Sequence, residues 1–402
     1  MCIKSKPEAP ETSQVAFMRN YLMKTVHEFP APNEFATCPI GVLLLLTTLL
    51  GSGATRGKTG FQIAQSLQLK SPRTESGLSL VIGESKSLYR ELVDELTSQE
   101  TFIGQRRVSV ISTSTAAFLQ EGFGLEPNFV WSIQNEFRAH MKQLHFQNQS
   151  ESARQINSWA NSESRGLIPR IFQSPSELPR DTRVVMLNLF TFKDAWLRRF
   201  SAPRTKPEEF TVSSDTTKSV SMMMSVETLP YANFPEKGFA MIRKPLQNYR
   251  FSLVVLLPSE KLKLDGIEKV LTGEYAIKDL IISQEEIPIS LKLPKFKLES
   301  TMSAIPILES MGVVDLFRRT QADLSGITEA ERLYVSLLKQ GVVLKVDENG
   351  VEAAAVTAAV AVPMSAIIPS ADFHVNHPFV CMIYDEQLHI PLVVARVFSP
   401  EF

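Results

Sequence analysis

Between Glu352 and Asp372 the chain carries no ionisable side chain, and the stretch reads AAAVTAAVAVPMSAIIPSA. Surface loops are usually polar and rich in turn residues, so this segment limits the folds that can hold it. It resembles a strand that has not been placed in a sheet. Alanine has the highest helix propensity, which makes a helix the competing reading. As a strand, the segment and its approach alternate faces. Val351, Ala353, Ala355, Thr357, Ala359 and Ala361 share one face, which is small and uncharged throughout. Glu352, Ala354, Val356, Ala358, Val360 and Val362 share the other, with its single charge near the start. Extended, residues 350–362 would reach about 40 Å.

The rest of the chain is ordinary globular material. It has 402 residues, 44% hydrophobic and 21% charged, enough for a large core. A net charge of −1 with no dense Lys/Arg stripe argues against nucleic acid or a heparin-like polyanion as partner. The most apolar run, Gly41 to Gly51, is too short to span a bilayer and predicts a buried helix. Cys2, Cys38 and Cys381 form neither a disulfide framework nor a metal pattern and read as buried or free thiols. One sequon, at Asn148, matters only in a secretory route.

Helices are expected at Ser13–Phe29, Pro39–Leu50 and Thr59–Leu69, and over SKSLYRELVDELTSQ after a Ser-rich loop at 70–80. Strands follow at Val108–Leu119, Arg183–Phe192 and Arg250–Pro258. One half-exposed strand is expected over IPISLKLPKFKLES from Ile287, and two strands in the tail meet near Asp385 to Gln387. Helices first and strands later, without strict alternation, favour an α+β fold.

Catalytic patterns fail on inspection. GSGATRGKT (Gly51–Thr59) lacks the first glycine of a phosphate-binding loop, because Ser52 holds that place, and reads as an interhelical loop. No histidine lies in zinc-type spacing; His374 and His377 flank a strand start and read as structural. There is no Gly-x-Ser-x-Gly elbow, and no carboxylate pair stands out from a solvated face. No metal, cofactor or enzyme activity is expected.

Several ordered segments resemble the serpin family. VVLKVDENGVEAAAVTAAV (Val342–Val360) is similar to the family's hinge, and MLNLFTFKDAWLRRF (Met186–Phe200) to its Asn-x-x-x-Phe-Lys-Gly-x-Trp signature. LPKFKLES, MGVVDLF, ADLSGI and the C-terminal FHVNHPFVCMIYDEQLHIPLVVARVFSP follow in the family's order, and INSWANSESRGLI fits more loosely. The resemblance implies a serpin fold with three β-sheets, eight or nine helices and an exposed reactive-centre loop at about 348–372. Residues 1–14 would be a flexible leader and 15–402 a single domain.

The implied function is inhibition of serine proteases by suicide trapping in a covalent complex, with the inhibitor a monomer. The alternative is a non-inhibitory carrier, chaperone or storage member. In the family the scissile bond follows the sixteenth residue after the hinge glutamate; counting from Glu348 gives Met364–Ser365, with Pro363 and Val362 before it. No Lys or Arg occurs between Val346 and Ala395, so an elastase-like or chymotrypsin-like protease is the expected target. The hinge comprises Glu348, Gly350, Val351, Glu352, Ala353, Ala354 and Ala355, with Val351 where Thr or Ser is usual. Asn188, Trp196 and Gln340 map to the family's shutter and breach. There Gly41 and Leu44 replace common serines and Gln340 a usual histidine, which requires a rebuilt polar network, through Gln340 and Asn188. Asp194 and Ala395 replace common glycines, so small backbone adjustments are expected. The first fourteen residues lack a secretory h-region, yet family targets are often extracellular. An extracellular site by leaderless export or a trimmed signal is favoured over the cytoplasm.

Overall fold

The apolar run does form a buried helix. Helix α2 (Pro39–Gly51) opens on a proline, which suits the first turn, and all its residues are buried. The structure is a computed structural model that describes residues 12–69, 74–103, 106–352 and 368–402. Helix α1 (Ser13–Glu28) is capped by the Thr12 side chain and buries Phe17, Met18, Tyr21, Leu22, Thr25 and Val26, the three-and-four spacing of one helical face. Helices α3 (Gly57–Ser66), α4 (Glu75–Thr97), α5 (Pro127–Trp131), α6 (Gln149–Glu163), α7 (Asp265–Leu271), α8 (Ile277–Ile282) and α9 (Ile305–Ser310) complete the set among the described residues.

A nine-stranded sheet runs in the order β1 (Phe35–Thr37), β18 (Ile390–Val397), β17 (Phe379–Asp385), β11 (Phe251–Pro258), β10 (Phe239–Pro245), β9 (Thr216–Phe234), β12 (Glu285–Pro294) and β16 (Ala371–His374), with β8 (Lys206–Ser213) also on β9. A seven-stranded sheet runs β5 (His140–Leu144), β4 (Ile111–Gln120), β6 (Val184–Phe192), β14 (Val335–Val346), β15 (Gly350–Val351) and β7 (Asp194–Ala195), with β13 (Phe296–Ser303) on β14. The third sheet is the hairpin of β2 (Glu100–Ile103) and β3 (Arg106–Ser109).

Three apolar clusters separate these layers. The largest lies between α2 and one face of the seven-stranded sheet, and takes in Leu338, Val342, Leu344, Phe190 and Phe192. A second packs α7 and α8 on β10, β11 and β17. The third seats α6, through Ile156, Trp159 and Ala160, on Val185, Leu187, Leu189 and Val343 of the sheet's other face.

Three sequence expectations need correction. The Ser-rich stretch is already helix from Glu75, because Thr74 caps it by accepting a hydrogen bond from Gly77 N. Val108–Leu119 is two strands broken at Val110, whose N–H turns aside to Gln99 O. Ile287–Ser300 is likewise two strands in different sheets. The buried phase shifts from Leu291 and Leu293 to Phe296 across Pro294, and the chain passes from β9 to β14. The two tail strands and the buried strand at 251–258 match expectation.

Candidate functional site

Asp347-Glu348-Asn349-Gly350 has the composition of a turn, and the chain doubles back there at the upper end of β14. Asn349 N donates to Asp347 Oδ1 at 2.7 Å, and Asp347 N to Gly350 O at 3.0 Å. The returning β15 lies between β14 and β7: Val351 is opposite Val346 on one side and Asp194 on the other, while Gly350 faces Ala195. Val351 is fully buried in the main core.

Trp196 packs beneath this turn. Its Nε1 donates to Asp347 O at 2.7 Å and its backbone N to Asn349 O at 2.9 Å. Glu348 is held by Lys295 Nζ at 3.0 Å and by Thr205 Oγ1, which donates to it at 2.8 Å. Burial opposes the charge on Glu348. The hydrogen bonds from its own backbone, Lys295 and Thr205, with the Lys295 charge, outweigh that and hold its carboxyl below the ordinary range.

Glu352 is the opposite case. Its backbone takes the left-handed φ of 49°, unusual for a residue other than glycine. Its N–H still donates to Lys345 O at 2.9 Å, but neither carboxyl oxygen has a partner among the described residues. Burial pushes its pKa up to about 8, and the charges of Lys193, Lys345 and Lys297 offset only part of that.

Six residues down β14, about 20 Å away, Gln340 stands opposite Asn188 in the parallel pairing of β14 with β6. Gln340 Nε2 donates to Cys38 O at 2.7 Å and lies 3.4 Å from Asn188 Oδ1. Its Oε1 accepts from Cys38 N at 2.8 Å and Thr37 Oγ1 at 3.0 Å. Asn188 Nδ2 donates to Thr113 Oγ1 at 3.2 Å. One amide side chain thus ties the start of α2 to the centre of the sheet.

The structure brings Glu348, Gly350, Val351, Glu352 and Trp196 together at the top of the sheet, and Asn188 with Gln340 at its centre. Ala353, Ala354, Ala355, Val362, Pro363, Met364 and Ser365 lie outside the described residues. The chain is described again from Ile368, which is exposed, and enters β16, which pairs with β12. Sequence reading missed Lys295 and Thr205, whose partner Glu348 is distant along the chain, and Asp347, which only the Asp-x-Asn-Gly turn could have signalled. It noted Asp194 solely as a departure from glycine. There the structure has a buried carboxylate with three hydrogen bonds.

Other tempting residues have structural partners. Lys58, of the phosphate-loop-like stretch, pairs with Asp315 at 3.0 Å. His377 Nε2 lies 3.0 Å from Pro258 O, and His374 Nε2 lies 3.1 Å from Glu208. Cys38 and Cys381 are buried free thiols. Among the described residues no group of three His, Cys, Asp or Glu could hold a metal ion, and no helix is long and apolar enough to cross a membrane.

Comparison with known proteins agrees with this architecture. The family description "Serpin (serine protease inhibitor)" matches residues 13–400. A leukocyte elastase inhibitor of Xenopus tropicalis is 28% identical over 94% of this chain and 96% of its own length. A solved serpin from the trematode Schistosoma haematobium superposes with a TM-score of 0.88 at 39% identity, covering 97% of this chain and 100% of that one. The serpin structure from Schistosoma mansoni gives 0.87 at 38% identity, covering 96% and 100%. With a family match along nearly all its length and a solved serpin superposing on nearly the whole fold, this chain belongs to the serpin family.

Proposed function

We propose that the chain is a suicide inhibitor of elastase-like or chymotrypsin-like serine proteases, cleaved at Met364–Ser365. The observation that carries this is the register of the seated hinge. Continued in the same register from Val351, Ala353 would fall between Leu344 and Phe192, Ala355 between Val342 and Phe190, and Thr357 between Gln340 and Asn188. Those flanking side chains belong to the core face or to its polar tie with α2. The small, uncharged face of the loop is therefore the one that would turn inward.

In the proposed reaction the protease's serine attacks the Met364 carbonyl and the amine of Ser365 leaves, giving an acyl-enzyme on Met364. The chain supplies the bond and the protease supplies the catalysis. The cut loop then inserts between β6 and β14. Those strands are now paired to each other from Val335 and Val184 to Val343 and Thr191, so insertion loses one ladder and forms two. The net gain is one ladder of about ten bonds, on the order of 10 kcal/mol at roughly 1 kcal/mol per bond. Held back before cleavage, that energy makes the native state kinetically trapped. Small side chains favour insertion fast enough to outrun deacylation. The similarity to the Xenopus leukocyte elastase inhibitor and the lack of a basic residue in the loop both support the target class.

The test is incubation with elastase and with chymotrypsin, followed by denaturing electrophoresis and a melting curve of the nicked chain. A detergent-stable one-to-one complex and a large rise in melting temperature on nicking are expected. Nicking without either would point to a carrier or storage role instead.

A further inference from the structure

Asp194 is fully buried, and each of its carboxylate oxygens is engaged. Oδ1 accepts from Thr101 Oγ1 at 2.6 Å and from Ala195 N at 2.9 Å; Oδ2 accepts from Asn248 N at 2.9 Å. These donors come from three separate places. Thr101 sits on β2 of the small hairpin, Ala195 on β7, and Asn248 in the turn between β10 and β11 of the other large sheet. Asn248 Nδ2 also reaches Glu100 O at 3.3 Å, and Gln247 N donates to Ala195 O at 2.7 Å. The carboxylate is thus a knot that fixes β7 to the hairpin and to the neighbouring sheet.

What β7 is fixed against matters. Below the hinge, β6 pairs directly with β14; at β7 the two are separated by β15. Asp194 is itself the cross-strand partner of Val351. We propose that Asp194, anchored by Thr101, is a positioning residue that keeps β7 one strand's width from β14, so that the slot accepting the hinge is already open before cleavage. This rests on the inhibitor reading above for its consequence, but not for its geometry. A hydrogen bond to a charged acceptor inside a protein is among the stronger ones. Losing the Thr101 bond lets β7 relax towards β14 and displaces the hinge. The loop then starts its insertion later, and more of the inhibitor is cleaved without trapping.

The experiment compares the full chain with Thr101→Val, which keeps the shape and removes the donor, Thr101→Ser, which restores it, and Asp194→Gly, which removes the acceptor. Amide exchange at Val351 and Glu352 is the first readout. Exchange there should rise roughly tenfold in Thr101→Val and Asp194→Gly, return to the wild-type rate in Thr101→Ser, and stay unchanged in β17. The second readout is the share of molecules ending in stable complex with chymotrypsin, expected to fall in the first two variants and recover in Thr101→Ser. Wild-type exchange at the hinge in both disrupting variants overturns the proposal, as does exchange raised equally in β17, which would mark a merely structural bond. If the wild type forms no stable complex, the inhibitor reading fails, and the exchange comparison still decides the role of Asp194.

Discussion

Gly41 presses its bare α-carbon against the side chain of Asn188: a Cβ built there would lie 2.2 Å from Oδ1. It would also lie 2.7 Å from Gln340 Nε2. The amides of Asn188 and Gln340 together fill the room that a larger residue on α2 would need. Gly41→Ser should lower the melting temperature of the uncleaved protein by several degrees, an overpacking cost of about 1–3 kcal/mol. Gly41→Ser with Gln340→His should recover part of that loss. Equal melting temperatures for Gly41→Ser and wild type would refute the steric account.

Burial pushes Glu352 up to about 8, whereas a hinge released into water returns it to an ordinary carboxyl near 4.5. The seated state therefore binds its proton more tightly than the released state. Seating is fully favoured below about pH 4.5 and is weakened progressively as the pH rises through about 8. The charged groups facing Glu352 are Lys345 on β14, Lys297 on β13 and Lys193 between β6 and β7, and they reduce this dependence without cancelling it. Hydrogen exchange at the Glu352 amide, corrected for intrinsic rate, should speed up across that window. Glu352→Gln should flatten the profile, and a flat wild-type profile would contradict the assignment.

Ala355→Arg separates cleavage from trapping. On the proposed register the new guanidinium would sit between the buried apolar side chains of Val342 and Phe190, at a cost of several kcal/mol. Proteolysis at Met364 should proceed as before while stable complex drops at least tenfold. Normal trapping by Ala355→Arg would rule out insertion in this register.

Met364 carries the predicted choice of target. Met364→Arg should move inhibition from elastase-like to trypsin-like enzymes, whose specificity pocket holds a buried carboxylate. Oxidation of Met364 to the sulfoxide turns an apolar anchor polar and should weaken elastase inhibition several-fold. Mass spectrometry that finds the main cut at another bond would displace the reactive site.

Much of this was legible in the sequence where periodicity or composition speaks locally. Helix α2, the buried strand at 251–258 and the two tail strands follow from apolar runs. The break at Pro294 was missed because alternation resumes after it; only the one-residue shift between Leu293 and Phe296 reveals a change of sheet. Helix α4 starts earlier than expected because a single cap, Thr74, outweighs a serine-rich composition. The pairs Lys295–Glu348, Thr101–Asp194 and Gln340–Cys38 join residues far apart in the chain, and no local pattern announces them. The rebuilt polar network expected through Gln340 and Asn188 does have a counterpart in the fold, though its strongest contacts run to Cys38 and Thr37 on the way into α2.

Helix α6 lies across the outer face of the strands that the proposed insertion must part, with Ile156, Trp159 and Ala160 resting on Leu187, Leu189 and Val343. An added strand widens that floor by about 4.8 Å, and the helix cannot keep all of its present footholds on both sides of the new seam. On the proposed register it would lift and settle again on the outward residues of the newcomer, Ala354, Val356 and Ala358. Whatever fastens α6 more firmly to the sheet therefore slows the whole passage, even at a residue that never meets the protease.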